Sequence, residues 1–146
     1  MKVKEVIDKC QALLDVESAK EDLLRCFNII ENELALDYLP LYTTHKCNSA
    51  VIKFDELEYN PVRIVSCNCD YKVYTDCIKS KDNITSIQYA YTPNTKNIHD
   101  ECSYNEAVMN CLVYGTISEY LLTKMFYEES MRWTKKYKKE IETLML

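Results

Sequence analysis

Glycine is nearly absent. Gly115 is the single one in 146 residues, and only three prolines accompany it. A glycine-rich phosphate-binding loop is therefore excluded, and tight turns have to be built from Asn, Asp, Ser and Pro. No apolar run approaches the ~18 residues that span a bilayer, so no membrane partner is expected. The stretch Met-Lys-Val-Lys-Glu-Val-Ile-Asp at the start lacks the apolar segment of a secretory signal, which makes a product of the cytoplasm the expectation. Basic charge is not in excess: 18 Lys and Arg stand against 23 Asp and Glu, a net charge of −5. That balance argues against a protein that grips nucleic acid over a broad basic surface, though not against one that surrounds it. No internal repeat or low-complexity tract is visible.

What is present is an ordinary folding composition, 47% hydrophobic and 28% charged. The length predicts one domain over 1–146, large enough to bury a core without metals or disulfides. Eight cysteines would mean a disulfide framework in a secreted chain. Here Cys10, Cys26 and Cys111 fall on the apolar faces of predicted helices, where a free thiol behaves as a small hydrophobe. Twelve tyrosines against three phenylalanines favour half-exposed sheet faces and subunit interfaces.

Hydrophobic periodicity divides the chain in three. Over 1–40, Val3, Val6, Ile7, Cys10, Leu13 and Leu14, then Leu23, Cys26, Phe27, Ile30 and Leu34, recur at helical spacing. Ser18 and Glu21 predict a capping box for the second helix, and Pro40 ends it. From 49 to 92 the pattern alternates: Ile52 and Phe54, Val62 and Ile64, Tyr71, Val73 and Thr75, Ile87, Tyr89 and Tyr91. Three or four short antiparallel strands are predicted, with turns at 68–70 and 79–83. From 103 to 146 two further helices are expected, the first capped by Ser103, with a turn near 124–126. One carries a small-residue stripe, Ala107, Cys111, Gly115 and Ser118, that lets the second helix come close. The other presents Phe126, Ser130, Trp133, Tyr137, Ile141 and Leu144 on one face, with Glu128–Arg132, Lys136–Glu140 and Lys138–Glu142 as i,i+4 pairs opposite. The predicted fold class is α+β and mainly helical, a bundle of about four helices with a small antiparallel β insertion in the middle of the chain.

Candidate chemistry is sparse. His45, Cys47, Cys67 and Cys69 could form a four-ligand zinc set, but C-x-C and H-x-C are poor matches to zinc knuckles, and residues two apart on a strand share a face. Free thiols facing a core are the preferred reading, with no cofactor and no metal. Neither His45 nor His99 stands in a nucleophile context, so no catalytic residue and no enzyme activity are expected. The lysines of 135–139 read as the wet face of an amphipathic helix. Ile141, Leu144, Met145 and Leu146 end the chain on apolar side chains where fraying is normal, and they are candidate partner-binding residues.

The order of parts resembles the head–tail adaptor (connector) proteins of tailed bacteriophages. The resemblance is carried by Asp37-Tyr-Leu-Pro-Leu41 closing the N-terminal helices and by Ile87-Gln-Tyr-Ala-Tyr-Thr-Pro93 closing the β insertion. A C-terminal hairpin follows, with Tyr114-Gly-Thr-Ile-Ser-Glu-Tyr120 and Glu128-Glu-Ser-Met-Arg-Trp-Thr-Lys-Lys-Tyr137. It implies a structural virion protein of the phage neck, made in the host cytoplasm. It implies a homo-oligomeric ring, commonly of twelve copies, that docks on the portal protein and receives the next neck or tail protein. DNA would pass through its channel without sequence-specific binding. The tail 141–146 would be the portal contact. A different neck or tail-completion protein, or a small soluble binding module with a structural zinc, are the alternatives.

Overall fold

The computed structural model describes residues 1–146. The chain resolves into two compact units, Met1–Leu34 with Thr95–Leu146, and Ala35–Asn94.

The first unit is four helices. α1 (Val3–Leu14) buries Val3, Val6, Ile7 and Cys10, and the Glu5 carboxylate accepts from the Lys2 backbone N–H at 3.0 Å, satisfying a donor the first turn leaves free. α2 (Lys20–Glu33) buries Leu23, Cys26, Phe27 and Ile30 and runs on into a π-helical turn, Leu34–Tyr38. α3 (Met109–Thr123) is buried nearly all round, at Cys111, Leu112, Val113, Gly115, Thr116, Ile117, Ser118 and Leu121. A helix of that kind belongs at a centre, and α3 packs on α1, α2 and α4 (Tyr127–Met145). The predicted turn is real: α3 stops at Thr123, Met125 takes a left-handed φ of 65°, and α4 begins two residues later.

Small residues set the helix spacing. Ser118 Oγ donates to the Ser130 carbonyl at 3.2 Å, and Ser130 Oγ returns a bond to the Ser118 carbonyl at 2.9 Å. A Cβ on Gly115 would lie 2.7 Å from Ile30 Cγ2 and 2.8 Å from Tyr137 Cε1, so α2, α3 and α4 all converge on this one residue. Of the expected stripe, Ala107 is exposed and lies before α3, and Ser118 faces α4 rather than α2.

A buried ionic cluster ties the segment before α3 to α2. Glu31, 1% exposed, pairs with Lys96 Nζ at 2.9 Å and accepts from the Ser103 N–H at 2.9 Å. Asn28, one turn earlier, brackets the Lys96 backbone by accepting from its N–H at 2.8 Å and donating to its carbonyl at 3.0 Å.

The second unit is a four-stranded antiparallel sheet ordered β1-β4-β2, with β3 also paired on β4. Its strands are β1 (Leu41–Lys53), β2 (Asn60–Cys67), β3 (Lys72–Val73) and β4 (Cys77–Thr92). Ile52, Leu57, Ile78, Ile84, Ile87 and Tyr89 form its core. Tyr59 stacks on Tyr91 with centroids 4.1 Å apart, and the Tyr59 N–H donates to the Tyr89 hydroxyl at 3.4 Å.

Several expectations are overturned. The chain is not a mainly helical bundle with a small insertion: it is a mixed α/β fold in which 28% of residues lie in strands. β1 starts at Leu41, not 49; after Leu41 its half-buried positions are Thr43, His45 and Cys47, polar or weakly apolar groups without a hydrophobic alternation to see. Residues 79–83 are no turn. They lie inside the 16-residue β4 as a bulge, where the register with β1 jumps from Ser49↔Ile84 to Val51↔Lys79. Ser80 holds the bulge by donating to the Asp70 carbonyl at 2.7 Å.

The capping predictions fail for local reasons. Gln11 Nε2 binds the carbonyls of Glu17 and Ser18, and Ala19, at φ 72°, becomes the cap of α2 in place of Ser18. Ser103 is taken by Glu31, and Asn105 caps the turn into α3, accepting from the Ala107 N–H at 3.0 Å. None of the three proposed i,i+4 pairs on α4 closes; Lys136 instead sits 4.4 Å from the centroid of the Trp133 ring.

Candidate partner-binding surfaces

The end of α4 divides the predicted tail set. Ile141 is 3% exposed and continues the buried face of Ser130 and Tyr137, so it serves the helical unit itself. Leu144 is half-buried. Met145 is 59% exposed and Leu146 fully so.

A second apolar surface lies at the turn between α3 and α4. Leu122, Met125, Phe126, Tyr127 and Met131 are each between 47% and 73% exposed. Their backbone is fixed: the Phe126 N–H donates to the Leu121 carbonyl at 3.0 Å and the Ser130 N–H to the Phe126 carbonyl at 2.9 Å. Phe126 was expected on the packing face of α4; as the residue before the helix it points away from the bundle core. The signal for this surface was the run Met125-Phe-Tyr127 at a turn, where polar residues are the rule. A rigid apolar cluster of this kind marks an interaction surface.

The candidate zinc residues do not form a ligand set. His45 on β1 and Cys67 on β2 both stand opposite Ile87 of the strand between them. Cys47 and Cys67 lie near enough for each to act on the other's charge. Cys47 Sγ donates to the Ile84 carbonyl at 3.1 Å, and Cys69 Sγ lies 3.1 Å from Ser80 Oγ. All three thiols pack against the sheet core, and no group of three or more His, Cys, Asp or Glu side chains is placed to hold a metal. His99 lies exposed in the loop before α3.

All eight cysteines are free. Burial pushes the thiols of Cys10, Cys102 and Cys111 up to about 12 and that of Cys26 up to about 11. The thiolate is the reactive form, so at pH 8 alkylation should leave Cys10 and Cys111 intact in the native protein and modify them once the chain is unfolded. Peptide mass spectrometry before and after denaturation reads this directly, and early labelling of Cys10 would show that the α1–α3 contact opens.

No helix is long and apolar enough to cross a membrane. No protein-family model matches the chain, and no curated protein is significantly similar to it.

Proposed function

We propose that the chain is an assembling structural protein, and that the assembly is the neck of a tailed phage, with this chain as a head–tail adaptor ring under the portal. The observation that supports an assembling role is the rigid apolar cluster at the α3–α4 turn, together with the exposed end of α4, Met145 and Leu146. Two apolar surfaces on one small helical unit suit a subunit that touches a neighbouring copy through one and a different protein through the other, as head-to-tail rings do. The sheet adds unpaired outer edges on β1 and β2, which a neighbouring subunit can cover. The order of parts described above supplies the phage reading; the acidic charge fits a channel along which DNA slides without sticking.

Electron microscopy of the chain mixed with its portal tests the reading. Ring density on one portal face is expected, and bare portals would overturn it. Removing residues 144–146, or replacing Phe126 by Asp, should weaken attachment at least tenfold while leaving the thermal midpoint unchanged, because these side chains are mostly outside the core. Equal losses of attachment and stability would assign them to folding alone.

A further inference from the structure

The strands of the sheet carry charge almost entirely of one sign. Lys46 and Lys53 on β1, Arg63 on β2, Lys72 on β3 and Lys79 and Lys81 on β4 stand against one acid, Asp82, in a chain whose net charge is −5. The register gathers most of them on the face opposite the core. Tyr42, Ala90 and Arg63 form one row across the sheet, and Arg63 Nη2 donates to the Tyr42 hydroxyl at 3.2 Å. Val51, Lys79 and Lys72 form another, with Lys53 two positions further along β1. All but Ala90 are exposed.

Lys72 and Lys79 are direct cross-strand partners. Like charges so placed oppose strand pairing, and neither ammonium makes an ion pair. Two tyrosine rings stand among these cations. Tyr74 is 47% exposed, as is Tyr42, and the Lys79 ammonium holds the Tyr74 ring at 5.1 Å. Beside them lies a concavity of about 540 Å³ lined by Lys72, Tyr74, Lys79 and Lys81, and also by Asp70 and Asp82. The bulge under it is pinned by Ser80 and by Asn68, whose Oδ1 accepts from the Thr85 N–H at 2.8 Å.

We propose that this outer sheet face binds a single nucleic-acid strand. Phosphates sit between Lys72 and Lys79 and at Arg63, and bases stack on Tyr74 and Tyr42. An anion relieves the opposed lysines, and the rings among them offer what a base can use and an acidic peptide cannot. The site is independent of the adaptor reading: it rests on the placement of these cations and rings on the strands, not on the charge of the whole chain.

Fluorescence anisotropy of full-length protein with a labelled oligo(dT) tests it. Affinity should fall roughly tenfold between 50 and 200 mM salt. Lys72→Glu should weaken binding at least fivefold and raise the thermal midpoint by about a degree, since it turns a like-charge pair into an opposite-charge one. Tyr74→Ala should weaken binding about tenfold. The proposal is overturned by no binding at 50 mM salt, by unchanged affinity in Lys72→Glu, or by a duplex that binds as tightly as the single strand. Displacement by oligoglutamate at equal charge also overturns it. Self-association of the chain that Lys72→Glu abolishes would assign the face to a second copy instead.

Discussion

Glu31→Ala is expected to lower the stability of the helical unit by about 3–5 kcal/mol, the range for removing one partner of a buried ion pair. Glu31 Oε1 holds Lys96, and Oε2 holds the Ser103 N–H; Lys96 is only 13% exposed, so its ammonium cannot simply turn to water. Alanine would take the paired carboxylate away from the Lys96 ammonium and the acceptor away from the Ser103 N–H. Lys96 Nζ also donates to Ser103 Oγ at 2.7 Å, and a neutral hydroxyl does not balance its charge. The double variant Glu31→Leu with Lys96→Met should recover much of the loss, since an apolar pair strands no charge. Urea unfolding reads both. A loss below about 1 kcal/mol in Glu31→Ala would mean that the segment around Lys96 moves out to solvent at little cost.

Gly115→Ala carries the second large effect. Away from close contacts this substitution stabilises a helix by about 1 kcal/mol. Here the added methyl meets Ile30 on one side and the Tyr137 ring on the other, both under 3.0 Å. Tyr137 is 3% exposed and tethered through its hydroxyl to Glu33 Oε1 at 3.1 Å, so it has little room to yield. The overpacking cost of about 1–3 kcal/mol should exceed the propensity gain, and a bulkier Gly115→Val should not fold. In a double-mutant cycle, Gly115→Ala and Ile30→Ala should cost less together than the sum of their separate losses, by 1 kcal/mol or more in order of magnitude. Additive losses would place the strain elsewhere.

The helices were legible because their buried positions are chemically apolar and spaced for one face. Val3, Val6, Ile7 and Cys10, and later Tyr137 and Ile141, needed nothing else. The sheet was under-read because β1 faces inward with Thr43, His45 and Cys47, and because β4 contains a bulge whose Ser80, Asp82 and Asn83 look like a turn. Glu31 sat in plain view between Ile30 and Leu34 on an apolar face, and a charge there is a signal for a buried partner. Which partner could not be read, since Lys96 lies 65 positions away. The basic sheet face was hidden by the whole-chain charge: a net value averages over strands and helices, and only the register shows which side chains share a surface. Phe126 falls on the expected packing face because the periodicity extends one residue beyond the start of the helix, into the turn.

Leu41 and Tyr91, the near-terminal residues of the sheet unit, are cross-strand partners, and this bears on the order in which the chain folds. The helical unit is discontinuous, and its two pieces must find each other across everything between Leu34 and Thr95. Once β1 and β4 zip together, that long tether becomes a short one. The entropy lost in bringing Glu31 to Lys96 then falls by roughly 1 kcal/mol, because loop-closure cost grows with the logarithm of length. The sheet thus acts as a clasp: wherever it closes before the helices dock, it shortens the search by which α1 and α2 meet α3.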